Sequence, residues 1–254
     1  MRLRTRFKTI NTNFAVYSVA LRSGVYTASG ESYILIIKPV IWLMEAQGVV
    51  LEFWEACVHQ ILYARHVYPE VIFEQRSKYG VSVWQCVHPQ VNEYIQRVLL
   101  NAKPLLDAGL VERLVVSLKD SRSVPLETVN LRYEFNEQVS VALHVAELDR
   151  LERTLGSMLL KLAMWGLSLP KVPNDATFVL LLGTRDCDGL DERTAALEKA
   201  VVSERLWLID NDSGHQQGHQ QHHRPEIRPI NSFNNVAFVK SFSLWMTSDG
   251  SSHL

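Results

Sequence analysis

Cysteine is scarce. Cys57, Cys86 and Cys187 are the only three in 254 residues, and no two form a CxxC pair. This argues against a disulfide framework or a cysteine zinc site and fits a reducing compartment. No run of 18 apolar residues occurs. The best candidate, Ile34 to Met44, is short and interrupted by Lys38-Pro39, so no membrane span is expected. Charge of one sign is missing as well. Lys plus Arg is 26 against 27 Asp plus Glu, a net charge of −1. A protein that grips phosphates unaided needs a basic surface, so any contact with DNA is expected to be indirect. The templates of catalysis are absent too: no GxGxxG after a strand, no Walker loop, no GxSxG and no HExxH. No cofactor is implied and no internal repeat is visible.

What is present is ordinary in bulk. Hydrophobic residues make up 47% and charged residues 21%, the balance of a chain that buries a core. The first 45 residues differ from the rest. Arg2, Arg4, Arg6, Lys8 and Arg22 are basic, Ser and Thr are frequent, and no acid precedes Glu31. That composition resembles a mitochondrial presequence. A disordered arm or a mis-assigned start of translation is the preferred reading, and residues 1–45 are expected to lie outside the folded domain.

From Gln47 helical spacing sets in. Val50, Trp54, Cys57, Ile61 and Ala64 form a stripe that Phe53 and Val58 widen, which predicts a helix buried on most sides. Pro69 should stop it near Tyr68. Val71 to Val83 reads as loop plus short strand. His88-Pro89 opens a second helix, with Val91, Tyr94, Val98 and Ala102 on one face, Pro104 ending or kinking it and Gly109 as C-cap. Val111 to Leu118 and Leu126 to Phe135 are predicted strands of a hairpin around Asp120-Ser121-Arg122-Ser123. Leu148, Leu151, Leu155, Leu159, Leu162 and Trp165 mark a third helix from Val145 to Leu169. Ala176 to Leu182 is almost continuously apolar and reads as a central strand. Leu190 to Val202 carries a weaker helical pattern, Arg205 to Asp210 a short strand, Asn211 to Arg224 a solvated loop, and Val236 to Met246 a last strand. Three helices with mostly antiparallel strands in this order predict an α+β fold.

Few residues invite a chemical reading. His59 lies mid-helix in apolar company and reads as a core histidine. Cys187 sits between Asp186 and Asp188, which raise a thiol pKa rather than lower it. A small thiol-dependent hydrolase using Cys187 or His59 is the rival from another functional class. His215, His219, His222 and His223 have chelating spacings, but no fold would hold them in a tetrahedron, and no metal is expected there. Tyr94 and Trp207 read as core fillers by composition alone.

One block is more specific. Ile61-Leu62-Tyr63, Arg65, Val67-Tyr68-Pro69, Ile72-Phe73, Arg76, Lys78-Tyr79, Val81, Val83, His88-Pro89, Asn92, Tyr94-Ile95-Gln96 and Lys103-Pro104-Leu105-Leu106 resemble the HORMA-domain accessory subunits of DNA polymerase zeta, in the mitotic-arrest-deficient-like family. Thr177-Phe178, Thr184-Arg185 and Trp207 continue the match, which covers roughly Gln47 to Met246.

The resemblance implies a HORMA fold over residues 46–248, with residues 249–254 as a tail. It implies a C-terminal safety belt over about 184–246, in which the His/Gln loop 211–225 is an insertion. In this family the belt closes over an extended partner peptide added to the sheet edge. Tyr94 matches the helix tyrosine of the peptide pocket, Trp207 the belt tryptophan over the peptide, and Ile209 the aliphatic residue after it. Ile227, Ser241 and Ser243 fall at positions that contact a second partner, the C-terminal domain of a Y-family deoxycytidyl transferase. Arg153 and Gly156 fall at the family's homodimer position on the third helix. The implied role is a non-catalytic adaptor in translesion synthesis that traps a proline-containing peptide of the polymerase zeta catalytic subunit. A remodelling AAA+ ATPase would reopen the belt. The alternative within the family is a cell-cycle adaptor restraining activators of the anaphase-promoting complex. The implied location is the nucleus, with the cytoplasm also open and the presequence-like arm adding the mitochondrion.

Overall fold

The computed structural model describes residues 31–136, 145–184 and 226–248, with side chains over 46–136, 146–184 and 227–248. The first helix, α1 (Glu31–Ala64), begins inside the stretch set apart as an arm. The basic, Ser/Thr-rich composition belongs to the residues before it. From Ala46 onward the wide apolar stripe does what its width predicts: Val50, Phe53, Trp54, Cys57, Val58, Ile61 and Leu62 are all buried.

Helix α1 ends earlier than Pro69 requires. His66 adopts a left-handed conformation, φ 53°. The His66 and Val67 amides then donate back to the carbonyls of Tyr63 and Leu62. This closure by a left-handed residue satisfies carbonyls that the helix end would leave bare. It also turns Arg65 inward, where it is 1% exposed.

Val71 to Val83 is not loop plus one strand. A 3-10 turn (Glu70–Ile72) leads into a separate two-stranded sheet, β1 (Phe73–Lys78) paired antiparallel with β2 (Val81–Cys86). The two-residue link Tyr79-Gly80 has positive φ at both positions, 49° and 71°. That is the mirror-image turn that suits a twisted hairpin. The Tyr79 ring is buried edge-on against Phe53, with centroids 5.8 Å apart, which anchors an otherwise unfavourable backbone.

Helix α2 (Pro89–Asp107) starts where His88-Pro89 predicts but runs through Pro104. Pro104 lies on the outer face near Leu100, which is 69% exposed, so the carbonyl it deprives of a donor meets water. Gly109, φ 72°, closes the helix as expected, and the amides of Gly109 and Leu110 donate to Leu106 and Leu105.

The main sheet holds β3 (Val111–Lys119), β4 (Pro125–Phe135), β5 (Thr177–Thr184), β6 (Glu226–Val236) and β7 (Val239–Ser248). Its order is β5-β3-β4-β7-β6 and every pairing is antiparallel. Leu114, Val116, Leu118, Val129, Leu131, Tyr133, Phe242 and Leu244 project from one face into the core beneath α1 and α3 (Val145–Ser168). Phe242 meets Phe53 of α1 edge-on at 5.1 Å and stacks on Phe233 at 5.9 Å.

Two strand expectations are corrected. The apolar run of β5 reads as a central strand, yet among the described residues β5 is an edge. Only Leu180 in it is fully buried, and Phe178, Val179, Leu181 and Leu182 are half-buried. A continuous apolar run registers burial demand on both faces but carries no information on lateral neighbours. Val236 to Met246 is not a lone last strand either. It spans the turn of the β6–β7 hairpin, whose second strand buries Phe242, Leu244 and Met246. The expected helix at 190–202, strand at 205–210 and loop at 211–224 lie outside the described residues.

Candidate peptide-docking site

The edge of β5 that no described strand covers adjoins a recess of about 400 Å³ beside the start of α2. Its walls come from four places in the chain. Tyr68 and Ile72 follow the end of α1, His88 caps α2, Gln90, Val91 and Tyr94 lie on the first turns of α2, and Phe178 comes from β5. The proline at the helix start fixes where α2 leaves the hairpin, and the left-handed turn at His66 brings Tyr68 across. The aromatic walls brace one another. The Phe178 ring meets Tyr94 edge-on at 5.4 Å and Tyr68 at 6.2 Å. Burial, first of all, holds the Tyr68 phenol above its ordinary pKa, so it presents a neutral hydroxyl.

A single hydrogen bond ties helix to edge. The Leu180 N–H donates to the Tyr94 hydroxyl at 3.1 Å. In an antiparallel ladder the N–H and C=O of one residue point to the same side. Leu180 therefore faces the open side of β5, and so do Phe178 and Leu182, two residues to either side. An aromatic recess beside unpaired backbone groups can hold an extended segment: the edge supplies ladder bonds and the recess takes alternate side chains.

The structure places the sequence-derived residues unevenly. Tyr94 is in the recess. Trp207 and Ile209 lie outside the described residues, as do Cys187 and the histidines of 211–225. Ile227, Ser241 and Ser243 lie on the β6–β7 hairpin at the far side of the sheet from β5, but spread along its length: Ile227 pairs with Thr247, near one end, and Ser241 with Asn234, near the other. Ile227 shares the outer face with Ser243 and Ser241, and it is 64% exposed. Ser241 donates to Glu134 at 3.0 Å. Arg153 and Gly156 do not share a surface. Arg153 is exposed and bonds the Asp149 carbonyl, whereas Gly156 faces inward, where a Cβ would lie 2.4 Å from the Tyr79 carbonyl oxygen.

His59 is a structural acceptor. It is buried, and its Nδ1 accepts the Cys86 N–H at 3.3 Å. Cys57 and Cys86 are buried, and burial raises both thiols above their ordinary pKa. Among the described residues no group of three or more His, Cys, Asp or Glu could hold a metal ion. No helix among them is long and apolar enough to cross a membrane. Sequence reasoning missed the site roles of Tyr68, His88 and Phe178. Their only signal was membership of the family-like block, since nothing in local spacing joins residues 68, 88 and 178.

No family model matches the chain. A human relative, mitotic spindle assembly checkpoint protein MAD2B, is 34% identical over 168 residues, covering 65% of this chain and 75% of its own. The chain belongs to the MAD2B family. A plant relative in it, the DNA polymerase zeta processivity subunit of Arabidopsis thaliana, is 31% identical over 120 residues, covering 47% of this chain and 54% of its own. Solved structures agree on the fold. A chain of the mitotic checkpoint complex superposes with a TM-score of 0.59 at 16% identity, covering 80% of this chain and 98% of that one. Caenorhabditis elegans HTP-2 bound to a HIM-3 closure motif gives 0.57 at 11%, covering 81% and 91%. The fold of the family, and of this chain, is the α+β HORMA fold.

Proposed function

We propose that the protein is a non-catalytic adaptor subunit of DNA polymerase zeta in translesion synthesis. It captures a proline-containing peptide of the catalytic subunit along β5, with the belt of about 184–246 closing over it and Trp207 and Ile209 packing on the guest. The β6–β7 hairpin, with Ile227, Ser241 and Ser243, presents a second face to the C-terminal domain of a Y-family deoxycytidyl transferase. The observation that carries this reading is the aromatic recess beside the open edge of β5. The naming of the plant relative as a polymerase zeta subunit supports the choice of partner. A proline suits such a guest. It lacks an N–H, so it fits wherever the guest backbone points away from β5, and its fixed φ keeps the segment extended at low entropic cost.

The test is calorimetric titration of the full chain with a synthetic peptide covering the proline-containing segment of the polymerase zeta catalytic subunit. Tyr94→Ala and Trp207→Ala are each expected to weaken binding by about 2 kcal/mol or more, as buried aromatic anchors do. Unchanged affinity in both would overturn the reading. For the second face, Ile227→Asp is expected to abolish binding of the transferase domain while thermal stability stays at the wild-type value, because Ile227 is exposed.

The second reading is a cell-cycle adaptor that restrains activators of the anaphase-promoting complex. The checkpoint name carried by the vertebrate relatives favours it. Affinity purification separates the two: the polymerase subunit is expected to co-purify in excess over the activators. An AAA+ ATPase that reopens the closed segment, a homodimer, and nuclear residence follow from the same family likeness.

A further inference from the structure

The docking edge already has one of its donors engaged, by the Tyr94 hydroxyl. We propose that this hydroxyl stands in for a carbonyl of the guest strand, so that it competes with docking. The inference rests on the docking edge proposed above and concerns how that edge is kept ready.

Three observations converge on it. The Leu180 N–H lies on the side of β5 that pairs with no strand among the described residues, where an incoming strand would look for a donor. That N–H donates to a side chain 86 positions earlier in the chain rather than to another strand. The Tyr94 ring is held edge-on against Phe178 at 5.4 Å, which fixes where its hydroxyl sits. A phenolic oxygen accepting from Leu180 occupies the volume that a guest carbonyl oxygen needs. Docking therefore exchanges one bond for another: the guest carbonyl takes the Leu180 N–H, and the phenol turns away to donate to the guest or to water. Leu180 is the one edge residue guarded in this way among the described residues, so the competition falls at a single rung of the ladder. The ring and the hydroxyl thus act in opposite directions. The ring is a wall that binds the guest, and the hydroxyl is a competitor that it has to displace.

The opposition gives the test. Tyr94→Phe keeps the ring and removes the competitor, and Tyr94→Ala removes both. With the full chain and the synthetic polymerase-derived peptide, Y94F is expected to bind roughly three- to tenfold tighter than wild type, the range that one net hydrogen bond supports. Y94A is expected to bind more weakly than wild type. Amide exchange followed by NMR on the peptide-free chain gives an independent readout. The Leu180 amide is expected to exchange roughly tenfold faster in Y94F, with Val179 and Leu181, which face β3, unchanged. Equal or weaker peptide affinity in Y94F, or an unaltered Leu180 amide, overturns the stand-in role. If Y94F behaves so while Y94A still weakens binding, the docking reading survives without it. If Y94A alone binds as tightly as wild type, the opposed roles of ring and hydroxyl fail, and if Trp207→Ala does so too, the docking reading itself fails.

Discussion

Arg65 grips both carboxylate oxygens of Glu127, Nη2 at 2.6 Å and Nε at 2.8 Å, across 62 residues of sequence. The same guanidinium donates to the carbonyls of Gly166 and Pro170, at 3.1 and 2.6 Å. One side chain at the end of α1 therefore secures β4 and the exit of α3. With Arg65 1% exposed and Glu127 16%, the pair is dry enough that its geometry matters. The planar fork of arginine suits a bidentate carboxylate in a way a lysine could not.

Removing one partner is expected to cost far more than removing both. Glu127→Gln leaves the guanidinium without its counter-charge, and a loss of about 3–5 kcal/mol is expected in urea unfolding. Arg65→Met combined with Glu127→Leu is expected to recover most of that loss, since the desolvation of both charges disappears together. An additive double variant would refute the coupling.

His59 predicts a contrast between isosteres. His59→Leu leaves the buried Cys86 N–H without an acceptor and is expected to cost about 1–3 kcal/mol. His59→Asn keeps an oxygen near the Nδ1 position and is expected to cost less. Guanidinium unfolding midpoints of the two variants decide the matter.

Two helical glycines are expected to respond with opposite signs. Gly48 in α1 has open space where a Cβ would go, so Gly48→Ala is expected to stabilise by about 1 kcal/mol through helix propensity. At Gly166 a Cβ would lie 2.4 Å from the Cβ of Ala64. Gly166→Ala is expected to push α1 from α3 and destabilise by about 1–3 kcal/mol despite the same propensity gain. Differential scanning calorimetry reads both.

Acid sensitivity is expected at Glu55. Burial raises its carboxyl pKa, but the hydrogen bond with His59, the charge of Lys78 and a hydrogen bond with Gln96 outweigh burial and leave it below the ordinary value. A folded-state pKa below the unfolded one stabilises the fold above the unfolded value of 4.5, and that stability is lost as pH falls through the folded pKa. Glu55→Gln is therefore expected to narrow the gap in unfolding free energy between neutral pH and about pH 3.5. An unchanged gap would assign the acid response elsewhere.

Much of the fold was legible because periodicity reports burial. The stripe of α1, the alternation of β4 and the leucines of α3 each matched their elements closely. What failed was lateral position. The apolar run at β5 announced two faces to be covered but not its place at the edge, because neighbours in a sheet are set by topology and not by local pattern. Helix ends failed for a related reason. Pro69 was the visible stop, while the actual one is a left-handed His66 that composition does not mark. At the site, Tyr94 was legible only through family likeness. Its bond to Leu180 joins two elements that no spacing rule connects.

The five-strand order places the aromatic recess and the Ile227 face at opposite rims, four inter-strand steps apart, or about 19 Å. Guests narrower than that separation, one at each rim, would share no contact and need not arrive in sequence. A ternary assembly would then form with the simple product of two binding constants. Any departure from that product would measure strain passed through β3, β4 and β7, which makes the sheet a gauge as well as a joint.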